Sequence, residues 1–201
     1  MAFKYFGKWQ VDDVVIKDQG LQRYIRLQPG LVLHAGGRHA GKQFGKAEVP
    51  IVERLVNKVM RSGPGARKLG GKLIRGAGAC GKKHKAYNIV RKALEIVEQR
   101  AKKNPIQVLV DAIQNSAPRE ETTRISYGGI TYHHAVDSAP QRRLDVALKN
   151  LAAGAFAASF NSEKPIEECL AEELIMASNY DMKSSAIARK EETERIAKGA
   201  R

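Results

Sequence analysis

Residues 122–136 read TTRISYGGITYHHAV. Two runs rich in β-branched and aromatic residues meet at Gly128-Gly129, which suits a two-residue hairpin turn because its central positions favour positive φ. Pairing across the turn sets Tyr127 against Ile130, Ser126 against Thr131, Ile125 against Tyr132 and Arg124 against His133. Successive side chains of a strand point to opposite faces, so Ile125, Tyr127, Ile130, Tyr132 and Val136 share one face. Thr122, Arg124, Ser126, Thr131 and His133 share the other. Two arrangements satisfy this pattern. The hairpin lies flat and buries its apolar face on the body, or it projects and rests its outer part on a partner, since an isolated hairpin is marginal in water. Arg119 and Arg124 stand on its way in and Arg142 and Arg143 on its way out. A projecting ribbon so flanked suits RNA, where Tyr stacks on unpaired bases and Arg forks onto phosphate.

On either side of the hairpin the pattern is helical. Ile51, Val52, Leu55, Val56, Val59 and Met60 follow Pro50 at helical spacing and stop at Ser62-Gly63-Pro64. A second helix starts at about Lys85 with the stripe Ile89, Val90, Leu94, Ile96, Val97 and Ala101, and Asn104-Pro105 opens a third that ends before Pro118. Ser138 is placed to cap a fourth, through Leu144 and Leu151 to Phe156 or Phe160; Pro165 opens a fifth, and a sixth runs from about Ser185. The first 46 residues are irregular, with a strand expected in VDDVVIKDQG and a short helix in LQRYIRL. The glycine-rich, basic run LHAGGRHAGKQFGK reads as an arm that becomes ordered on its partner. The fold class is mainly α: a bundle of about six helices carrying one two-stranded hairpin, with an irregular N-terminal extension over residues 1–46 and a helical domain over 47–201.

Charge is the strongest global signal. The 201 residues carry a formal net charge of +14, which a polyanion would neutralise. Residues 61–103 hold 13 Lys/Arg against 2 Asp/Glu, whereas 104–162 balance at 5 and 5 and 163–201 hold 7 against 9. A charge this lopsided marks a binding face. Two cysteines, Cys80 and Cys169, cannot build a disulfide framework and no CxxC pair occurs, which fits a reducing cytoplasm. No apolar run approaches the roughly 20 residues of a membrane span, and MAFKYFGKWQ lacks a signal-peptide core, so a soluble, unexported protein is expected.

Within the basic stretch, GAGACGKK at 76–83 nearly spells a phosphate-binding P-loop, but Lys83 stands where a Ser/Thr would hold magnesium and no buried strand precedes it. The favoured reading is a cationic loop in which Lys72, Arg75, Lys82, Lys83 and Lys85 neutralise phosphates while glycines let the backbone approach them. Neither Cys80 and His84 nor His133-His134 has further ligands at metal spacing, and Cys169 reads as a small buried hydrophobe. Glu120-Glu121 and Glu191-Glu192 lack a nucleophile or pocket signature. No catalytic set, cofactor or metal is expected. An NTP-hydrolysing enzyme using GAGACGKK and a DNA-binding helical protein stand as the alternatives to an RNA binder.

The longer stretches PIVERLVNKVM (50–60), ALEIVEQ (93–99), NPIQVLVDAIQNSAPREETTRISYGGITYHHAVD (104–137), SAPQRRLDVAL (138–148), ECLAEELI (168–175) and AIARKEETERIAKGAR (186–201) resemble the universal S-seven family of small-subunit ribosomal proteins. The resemblance spans about 47–201, and FGKWQVDDVVIKD is similar to the N-terminal extension of archaeal and eukaryotic members. It implies a helical domain with a protruding ribbon at about 122–137 that binds the 3′ major domain of small-subunit rRNA, takes part early in assembly of the subunit head, and lies near exit-site tRNA and the messenger path. It implies rRNA contact at Arg119, Arg124, Arg142 and Arg143, and proximity to messenger or tRNA at Tyr127, Gly128, Gly129 and Ile130. The family's basic turn after the first helix corresponds to Gly65-Ala66-Arg67-Lys68, so Arg67 and Lys68 join the candidate rRNA contacts. Other small-subunit proteins are expected neighbours.

Overall fold

A computed structural model describes residues 4–30, 32–63, 65–69, 72–75 and 81–201, with side chains described outside 64–80. Its helices are α1 (Gln19–Gln22), α2 (Ile51–Met60), α3 (Lys83–Ala101), α4 (Pro105–Ser116), α5 (Pro140–Ser159), α6 (Ile166–Ser178) and α7 (Ser185–Gly199). Strands β1 (Gly65–Leu69) and β2 (Lys72–Arg75) form one antiparallel pair, and β3 (Glu120–Tyr127) and β4 (Ile130–Asp137) another. The mainly helical architecture with a hairpin is therefore as expected, and the short helix expected in LQRYIRL is the single turn α1, which starts earlier and ends at Gln22.

Helix α4 lies at the centre, against α3, α5, α6 and α7. Its sequence explains the position: Ile106, Val108, Leu109, Val110, Ala112 and Ile113 are all buried, and a helix apolar on nearly every side is stable only when surrounded. Asn104 caps it by accepting from the Ile106 N–H at 3.0 Å, and Pro105 fills the first turn, where no donor is needed. Helix α6 packs against α3, α4 and α5 through Leu170, Ala171, Leu174 and Ala177. The α6–α7 corner is held by Glu173, buried at 5% exposure, which accepts from Ser184 Oγ at 2.8 Å and from the Ala186 N–H at 2.9 Å. A carboxylate at a helix N-terminus meets both unpaired N–H groups and the positive end of the dipole. Gly154 of α5 makes room for it, since a Cβ there would lie 2.9 Å from Glu173 Oε1.

Several local expectations are corrected. VDDVVIKD forms no strand. Gln107 of α4 donates to the Val15 carbonyl and accepts from its N–H, and Gln114 accepts from the Lys17 and Asp18 N–H groups, so side-chain amides replace a neighbouring strand. The first residues lie on the body: Tyr5, Trp9, Leu21 and Ile25 are in the main core, and Trp9 Nε1 donates to Glu98 at 3.0 Å. The glycine-rich run makes two 3-10 turns, Arg38–Gly41 and Gly45–Glu48, and is mostly exposed. Ser138 does not cap α5; Ala139 precedes its first turn, while the Ser138 N–H donates to the Arg119 carbonyl at 2.9 Å and closes the base of the ribbon. KLIR is strand β2, where the sequence reading has only a cationic loop, because pairing with β1 supplies the backbone partners that its flanking glycines withhold from a helix. The stretch Gly76–Cys80 of the P-loop-like motif lies outside the described residues.

Candidate nucleic-acid interface

The register of β3 and β4 pairs Tyr127 with Ile130, Ser126 with Thr131, Ile125 with Tyr132 and Arg124 with His133. Gly128 and Gly129 take φ of 59° and 83°, the left-handed conformation that both central residues of this turn require. The ribbon projects. Its base, Glu120 to Thr123, is half-buried and packs on α7, but everything from Arg124 to His134 is exposed. Tyr127 is 81% and Ile130 59% exposed, and Ile125, Tyr132 and Val136 of the same face also meet solvent. The flat arrangement is thereby excluded, leaving an apolar and aromatic strip that none of the described residues covers.

Two salt bridges and one hydrogen bond tie down the base: Glu120 pairs with Arg201, Glu121 with Arg142 at 2.6 Å, and Glu194 of α7 accepts from the Arg119 backbone N–H at 2.9 Å. The sequence-derived cations divide accordingly. The side chains of Arg119 and Arg124 are exposed and form no ion pair among the described residues, and Lys82 and Lys85 at the start of α3 are exposed too. Arg142 holds Glu121 from an exposed position, where such a pair contributes about 0–1 kcal/mol. Arg143 is different: its side chain is 11% exposed and binds Asp18 at 2.9 Å, tying the N-terminal segment to α5. Lys83 reaches back to the buried Glu53 at 2.7 Å, and the same Glu53 oxygen accepts from the Ala35 N–H at 2.6 Å. The side chains of Arg67, Lys68, Lys72 and Arg75 lie outside the described residues; their backbones form β1 and β2. Cys169 is buried, and burial pushes its thiol up, as suits a packing residue.

A second cationic group was not anticipated. Arg54, Lys58 and Arg61 recur at i, i+4 and i+7 along α2, a spacing legible in the sequence, but the residues that complete the group come from distant segments. Lys46 and Lys58 each lie 3.0 Å from Asp145 of α5, and Arg54, only 5% exposed, is 3.5 Å from the same carboxylate. Burial opposes the charge of Asp145, yet Lys58, Lys46 and Arg54 outweigh it and hold the carboxyl below its usual range.

A helical body that displays an uncovered ribbon and unpaired cations is built to bind a polyanion across its surface. The family model described as Ribosomal protein S7p/S5e matches residues 21–201, nearly the whole chain, and the chain belongs to that family. Its members are structural, rRNA-binding proteins of the small ribosomal subunit. The match starts upstream of residue 47, where the motif resemblance begins, and so takes in the last two residues of α1 and the glycine-rich run.

Proposed function

We propose that this protein is a primary binder of the 3′ major domain of small-subunit rRNA that organises assembly of the subunit head in the cytoplasm, with its ribbon near exit-site tRNA and the messenger path. The observation that carries this reading is the exposed ribbon on an arginine-bearing base. Arg119 and Arg124, with Lys82 and Lys85 on α3, are exposed cations that take phosphates directly, and Arg142 joins them by giving up its exposed pair with Glu121; Arg67, Lys68, Lys72 and Arg75 extend the same basic stretch. Arg143 and Lys83 contribute chiefly by holding the N-terminal segment in place through Asp18 and Glu53. The Tyr127-Gly128-Gly129-Ile130 tip, whose glycines add no side chain, suits close approach to a passing messenger or tRNA strand. Residues 1–46 act as the extension of an archaeal or eukaryotic type of member, serving the helical domain at 47–201.

Affinity for a 3′ major domain fragment, measured against salt, tests this. Five freed cations, each releasing about 0.7–0.9 counterion, give a slope of about −4 in log K against log salt. A flat response, or equal affinity for duplex DNA of the same length, overturns the assignment. Reversing Lys82 and Lys85 should weaken binding more than reversing Lys164, which is already paired with Glu172.

A further inference from the structure

We propose that the cleft between α2, α5 and the 3-10 turns of the N-terminal segment is a seat for a single phosphate group of the bound RNA. It encloses about 170 Å3 and is lined by His39, Lys46, Arg54, Lys58, Arg61 and Asp145. Four permanent cations therefore surround one carboxylate, and among the described residues no second carboxylate lines the cleft. The buried donor is the sharper sign. Arg54 Nη1 is fixed by donating to the Tyr24 carbonyl at 3.2 Å, but Nη2 has only an ion-pair contact with Asp145 at 3.5 Å and among the described residues makes no hydrogen bond of good geometry. His39 Nδ1 is likewise buried without a partner in the same cleft. Buried charged donors are rarely left unmade, because each loses its water without replacement. A tetrahedral dianion or diester phosphate fits the volume, offers several acceptors and matches the planar fork of a guanidinium, which a second ammonium-bound carboxylate would not do as fully.

The seat joins elements far apart in the chain: Lys46 and His39 come from the segment before α2, and Asp145 from α5. A phosphate held here would therefore lock the N-terminal segment onto the helical body as RNA binds. This inference rests on the rRNA-binding reading, and its test separates the two.

Melting temperature of the full chain is measured with inorganic phosphate and with chloride at matched ionic strength, for wild type, Lys58→Gln, Arg61→Gln and Lys164→Gln. A ligand that binds only the native state raises the melting temperature as its concentration passes Kd. Wild type and Lys164→Gln should gain several degrees in phosphate; Lys58→Gln should gain little. Arg61 is exposed at the end of its helix, so Arg61→Gln keeps the fold and should show a reduced gain if Lys58→Gln proves unstable. Asp145→Asn should gain more than wild type, since the competing carboxylate is gone; destabilisation that phosphate does not recover would show a purely structural ion-pair cluster and overturn the seat. The RNA arm uses the 3′ major domain fragment: Lys58→Gln should bind about tenfold more weakly with a salt slope shallower by about one. Loss of the phosphate response with unchanged rRNA binding would assign the cleft to free phosphate and overturn the RNA role. Wild-type protein that answers to phosphate but ignores rRNA would refute the functional reading instead.

Discussion

Glu173→Ala removes one buried carboxylate and with it the start of α7. The side chain accepts from Ser184 Oγ at 2.8 Å and from the Ala186 N–H at 2.9 Å, with the Ser185 N–H further off at 3.4 Å. A hydrogen bond to a charged group contributes about 1.5–3 kcal/mol, and the two short ones share an oxygen, so their loss is less than additive. The vacated volume beside Gly154 adds to the cost, and relief from burying the carboxylate offsets part of it. The expected loss is about 3–4 kcal/mol, which for a chain of this size lowers the melting temperature by roughly 10 °C. Glu173→Gln keeps one acceptor oxygen and should lose about half as much. Because α7 packs against the base of the ribbon, amide exchange should quicken at Glu120 to Thr123 as well as in the first turn of α7. Calorimetry with hydrogen exchange reads both effects. A Glu173→Ala protein melting within 2 °C of wild type would refute the claim that this carboxylate anchors α7.

Acid should act through Asp145. Its folded pKa is depressed, so the stability it contributes is present above the unfolded value of about 4 and is lost as pH falls below it; Asp145→Asn should be less stable at neutral pH and lose less of its stability on descending from pH 5 to pH 3. Urea melts across that window measure the difference, and parallel curves for the two proteins would contradict the assignment. Changing Gly128 and Gly129 together to Val places β-branched residues at positive φ, at about 1–2 kcal/mol each, although open space surrounds both positions. The tip should lose its pairing while the melting temperature of the body and rRNA affinity stay near wild type; an rRNA loss as large as that from Arg119→Ala and Arg124→Ala would dissolve the division between base and tip. Lys83→Ala should cost stability more than RNA affinity, since it leaves the buried Glu53 without its cation, and a purely RNA-binding defect would show that the pair does not persist in solution.

Local periodicity made six of the helices legible, because Ile, Val and Leu at helical spacing leave few alternatives, and Asn104-Pro105 marks a start by its own chemistry. The hairpin register was equally local: two glycines admit one tight turn, and that turn determines every cross-strand pair. The sequence therefore determined which segments are helices, where the ribbon bends and which residues share its faces, all consequences of neighbours along the chain. Tertiary structure decided what those faces meet. Whether Ile125 and Tyr127 are covered depends on whether another element of the chain reaches them, and none among the described residues does. The fate of each cation was decided in the same way. Arg142 and Arg143 are adjacent and alike in sequence, yet one stays in solvent with Glu121 and the other is drawn inside by Asp18, 125 residues away. Charge acts through space, so the partner that turns an arginine into a clamp, or leaves Arg54 waiting for an acceptor, exists only once distant segments are folded together.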